Sequence, residues 1–133
     1  MIERIFLGLS ALIWLPYGIY CFIAPDFLAG EGMAGVAAST ATGSTELRAM
    51  YGGLQAAIGA LVGLALFRPT LVRPALVMVA FLTTGLALAR LSGAAIDGGF
   101  SSYTWGGLGF EITSASIAWW LLSRQPDAAA QPA

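Results

Sequence analysis

The chain contains no histidine and no lysine, one cysteine, and few charges of either sign. Without histidine, the usual metal and haem ligand and the usual general base are missing. The one thiol, Cys21, can neither close an internal disulfide nor build a thiolate metal site. Phosphate loop, dinucleotide fingerprint and nucleophile elbow are absent as well. A net charge of −1 offers nothing to nucleic acid. No cofactor, no metal and no nucleic-acid partner is therefore expected. Charged residues make up 10% of the 133, against about 25% in a soluble domain. A water-soluble fold this poor in charge would expose large apolar patches and aggregate.

What is present is apolar: 58% of residues are hydrophobic and the mean hydropathy is +0.80. A helix crosses the hydrocarbon layer with about 20 such residues, and four segments qualify, near 2–24, 46–67, 74–91 and 104–123. Backbone inside lipid must satisfy its own hydrogen bonds, so these runs read as helices, and no strand alternation is visible. The expectation is an all-α, integral membrane four-helix bundle forming one domain over 1–124, with a disordered tail over 125–133. The apolar run over 5–24 exceeds the roughly 7–15 residues of a cleaved signal core. Tyr20 also spoils a lipoprotein cleavage site before Cys21, so the first segment is expected to be retained.

Local signals refine this picture. Pro16 falls inside the first helix, where membrane helices tolerate a kink. Thr45 suits the N-cap of the second helix and Glu46 its first turn. The short stretch Arg68 to Arg73 predicts a tight antiparallel hairpin of helices two and three. The longer first loop, residues 25–45, predicts an interfacial turn near Phe27-Leu28 or over 33–38. Arg4, Arg68, Arg73 and Arg124 fall on one side of the bundle and only Arg48 and Arg90 on the other. The excess of cations places both termini in the cytoplasm.

The remaining polar residues need partners. Arg90 lies about 22 Å along the third helix from Ala75, and Glu111 about 10 Å into the fourth, at 1.5 Å per residue. With Arg48 they reach similar depth in the outer half on three helices, and Asp97 is placed in the loop above. Arg48, Tyr51 and Gln55 share a helix face, as do Gly107, Glu111 and Ser114. An unpaired ion in lipid costs at least about 2.5–3.5 kcal/mol, so Glu111 is expected to pair with Arg90 or Arg48. Two readings follow. The cluster Arg48, Tyr51, Gln55, Arg90, Asp97 and Glu111 is structural glue, or it lines a pocket for a ligand headgroup. The unpaired second Arg would favour an anion unless Asp97 or Glu46 meets it.

Gly52 and Gly59 extend the polar stripe, and Gly59 with Gly63 gives a small-xxx-small pattern that reads as internal helix packing. With Gly53 they are the candidate packing glycines. Homo-oligomerisation is the other use of such a pattern. Tyr103, Trp105, Trp119 and Trp120, near the ends of the fourth helix, read as an aromatic belt.

The run Thr45-Glu46-Leu47-Arg48-Ala49-Met50-Tyr51-Gly52-Gly53-Leu54-Gln55 resembles the signature of a bacterial family, domain of unknown function 4345. Arg90-Leu91, Asp97-Gly98 and the Glu111 position are similar to it too, and the resemblance spans about 3–122. It implies a small four-helix protein of the bacterial inner membrane, distantly similar to DoxX-like proteins, and implies no established activity. The reading is a non-enzymatic membrane protein surrounded by lipids. Its outward-facing polar site would take a lipid- or quinone-like amphiphile or a partner subunit. The alternative is a small membrane enzyme doing isomerase-type acid–base chemistry with Glu111 or Asp97.

Overall fold

The computed structural model describes residues 1–124; the tail expected to be disordered lies outside the described residues. The chain is all-helical, with four helices and, among the described residues, no strand. Helix α1 runs Ile2–Ile23, α2 Ala41–Ala65, α3 Val72–Asp97 and α4 Ser102–Ser123. By length and composition α1, α2 and α3 (with its leading turn from Pro69) can each cross a membrane. Helix α4 has 22 residues, but its glycines, serines, threonines and Glu111 dilute its apolar content.

The ends of these helices differ from the sequence expectation for local reasons. α2 begins at Ala41, because the Thr40 Oγ1 accepts from the Gly43 amide at 3.0 Å. Thr45 is thus one turn inside, its hydroxyl donating to the Ala41 carbonyl at 3.1 Å. α3 continues through Asp97 and stops at Gly98, which takes the left-handed conformation at φ 69° that glycine adopts at little cost. Asp97 is therefore the last residue of a helix and not part of a loop. α4 starts under a Ser101 cap, whose hydroxyl accepts from the Thr104 amide at 3.2 Å. In the first loop, a 3-10 turn over Pro25–Ala29 buries Leu28 against Cys21 and Leu47.

α1 packs along α2, and α3 along α4. The expected tight hairpin of α2 and α3 does not form; those helices touch only lightly. The glycines of α2 account for this, because they face α1. A Cβ at Gly52 would lie 2.7 Å from Cβ of Phe22, and one at Gly59 would overlap the Leu15 backbone. From the other side, a Cβ on Gly18 would overlap the backbone of Ala56. Gly63 is looser, 3.7 Å from the Ala11 methyl. Gly53 is outside the seam: it is exposed and a Cβ there meets only its own helix at 3.8 Å.

One apolar core, including Leu7, Ile58, Val62, Leu76, Val79 and Leu121, joins both hairpins toward the end that carries Arg4, Arg68, Arg73 and Arg124. The outside is apolar as well: Leu12 is 72% exposed and Leu88 62%, whereas Glu111 is 3% exposed. Two of the buried hydroxyls are satisfied by the backbone of their own helix. Thr83 donates to Val79 at 2.7 Å and Ser10 to Phe6 at 2.9 Å.

Candidate functional site

The antiparallel contact of α3 and α4 brings Arg90 to Glu111. Nε of Arg90 donates to both carboxylate oxygens at 3.1 and 3.0 Å, and Nη2 donates to Oε1 at 2.7 Å. The Glu111 side chain is almost wholly buried and that of Arg90 is 28% exposed. This fork geometry is the strong form of the ion pair. α4 is shaped to receive it. One turn before Glu111, a Cβ on Gly107 would lie 2.8 Å from the guanidinium, so any larger residue would have to displace Arg90 from this position. A further turn back, the Tyr103 ring centre is 5.8 Å from Arg90 Cζ. Tyr103, Gly107 and Glu111 thus form a stripe at four-residue spacing facing one cation. Tyr103 belongs to this cluster and not to an aromatic belt.

Arg48 goes elsewhere. Its guanidinium donates to the Phe22 carbonyl and, at 3.3 Å, to that of Ile23, with Cζ 5.8 Å from the Phe22 ring centre. α1 has no basic residue in its last turn, and Arg48 supplies the positive charge that its carbonyl end favours. The stripe Arg48, Tyr51, Gln55 splits because residues 48–53 are π-helical. The wider turn rotates Arg48 toward α1, while Tyr51 and Gln55 stay inside the bundle. The excess cation that spoke for an anionic ligand is thereby removed. Asp97 is exposed, about two turns beyond Arg90 on α3, and does not reach the pair.

Beside the pair lies a cleft of about 550 Å3 to which all four helices contribute. Trp14 and Tyr17 come from α1, Tyr51 and Gln55 from α2, Leu86 and Arg90 from α3, and Tyr103, Phe110 and Glu111 from α4. The Tyr17 and Tyr103 hydroxyls stand 3.3 Å apart across the two hairpins. Trp14 and Phe110 meet at 5.9 Å between ring centres. The Trp14 indole N–H is buried with no hydrogen-bond partner among the described residues. The apolar residues Ile13, Met50 and Leu54 also line the cleft and are exposed. Among the described residues no cluster of His, Cys, Asp and Glu could hold a metal ion.

Of the six residues expected in the polar cluster, Tyr51, Gln55, Arg90 and Glu111 line one cleft; Arg48 and Asp97 do not. Trp14, Tyr17, Tyr103, Gly107 and Phe110 complete it. The available signal for two of these, Tyr103 and Gly107, was their four-residue spacing to Glu111.

Three helices long and apolar enough to cross a membrane, an apolar exterior and one ion pair turned inward define a small all-helical protein with the composition of a membrane protein. The family model described as Domain of unknown function (DUF4345) matches residues 2–122, and the chain belongs to that family. Neither a curated protein nor a solved structure matches the chain.

Proposed function

We propose that this is a non-enzymatic, multi-pass protein of the bacterial inner membrane, with both termini in the cytoplasm. Its outward-facing cleft receives the head of a lipid- or quinone-like amphiphile. The observation that carries the reading is a void of about 550 Å3 left directly beside an intact Arg90–Glu111 pair. A pair serving only as glue has no need of that void, since membrane helices associate by close packing. Sites of this kind combine an apolar lining with a few convergent polar groups. The isomerase alternative is weaker. Glu111 is bound at both oxygens by Arg90, leaving it poorly placed to take a proton, and Asp97 lies outside the cleft.

Native mass spectrometry of protein purified in mild detergent tests this. A bound amphiphile is expected with the wild type and is expected to be lost in Gly106→Trp. Gly106 lines the cleft, and its Cβ direction meets open space, nothing within 4 Å, so a bulky side chain there is expected to crowd the cleft and not the packed core. Equal occupancy in both proteins, or none in either, counts against the cleft as a ligand site.

A further inference from the structure

We infer that the cleft selects an uncharged head, a planar ring bearing carbonyl or hydroxyl oxygens on an apolar tail, over an anionic one. This deepens the amphiphile reading and rests on it. The selection follows from where the charges go. Inside the cleft, Arg90 and Glu111 neutralise one another through three hydrogen bonds. The other cation of this half, Arg48, is spent on the carbonyl end of α1 and does not line the cleft. The remaining cations, Arg4, Arg68, Arg73 and Arg124, lie toward the opposite end of the helices. An anionic head would thus be desolvated beside a buried carboxylate that already offsets the charge of Arg90, an unfavourable exchange.

The polar groups left over are neutral. The Tyr51 hydroxyl and the Gln55 amide line the cleft and make no hydrogen bond among the described residues. Both can donate to a carbonyl or hydroxyl oxygen. The walls are the rings of Trp14, Tyr17, Tyr103 and Phe110, which favour the face or edge of another ring. The exposed apolar residues Ile13, Met50 and Leu54 give the tail a path out between the helices.

The test compares two probes with the same tail, a decyl-substituted benzoquinone and decyl phosphate, on the full chain in phosphatidylcholine nanodiscs. Occupancy is read by native mass spectrometry against probe mole fraction. The benzoquinone is expected to half-saturate the protein at about one tenth of the mole fraction that decyl phosphate needs, a step of roughly one tenfold unit of affinity. Tyr51→Phe, which leaves the ion pair intact, should weaken the benzoquinone about fivefold, the worth of one neutral hydrogen bond. Glu111→Gln, with unchanged helical circular dichroism, uncovers Arg90 and should reverse the preference. Equal or tighter binding of decyl phosphate to the wild type overturns the inference while leaving the cleft a ligand site. Retention of neither probe removes the ligand site itself, and the inference with it.

Discussion

Arg90 and Glu111 are each other's main compensation. With Glu111 nearly wholly buried, taking away one partner leaves a charge or an acceptor stranded, which costs about 3–5 kcal/mol in a buried pair, whereas replacing both with apolar groups is close to neutral. Glu111→Gln and Arg90→Met are each expected to lower thermal stability in detergent, and the double variant to recover most of the loss. Strictly additive losses would show that the two side chains do not stabilise one another. The sequence narrowed the partner of Glu111 to Arg90 or Arg48, because residues at matched depth on neighbouring helices have few other ways to be satisfied. The fate of Arg48 was not legible. It depends on the π-helical turn over 48–53, and a stripe drawn at regular helical spacing assumes that no such turn intervenes. Gly107 was legible only as a face-sharing neighbour of Glu111; its role as the hollow for a guanidinium needs the partner helix in place.

At the scale of elements, the two hairpins are held together by different means. α1 and α2 meet along Gly18, Gly52 and Gly59, where backbones come close enough to exclude any side chain. Ala at Gly18 or Gly59 must push against backbone, and overpacking of this kind costs about 1–3 kcal/mol. Gly85 on α3 is the control, since nothing lies within 4 Å of its Cβ direction. There, Ala should be neutral or stabilising by up to about 1 kcal/mol, the difference in helix propensity. Melting of the three variants in one detergent checks the order, and equal behaviour would remove the seam as the source of α1–α2 adhesion. Apolar run lengths located all four helices, yet erred at α2 and α3, where Thr40 and Gly98 set the ends. A hydropathy run marks where lipid-compatible residues stop, not where backbone hydrogen bonding stops. The pairing of helices was likewise hidden, because a short connection suggests neighbours while small residues decide which neighbour comes closest.

For the whole molecule, the antiparallel course of the helices gathers Arg4, Arg68, Arg73 and Arg124 at one end. In the proposed topology that end is cytoplasmic and the cleft opens toward the other face. A reporter active only in the cytoplasm, fused after Ala133, is expected to work; activity of a periplasm-only reporter at the same site would invert the orientation. The number of helices and their inward-turned charge could be anticipated from the sequence. The cleft could not, since a void is a property of how two hairpins meet.

The position of Ile13, Met50 and Leu54, exposed on the flank of the bundle, determines how a guest would arrive. In the proposed membrane placement these oily side chains would give the outward-facing cleft a second, lateral opening toward the acyl chains, so the guest would travel within the plane of the bilayer. Its effective dose is then its abundance per lipid molecule, set by partitioning, and adding empty vesicles should strip the cleft as effectively as dilution with buffer fails to.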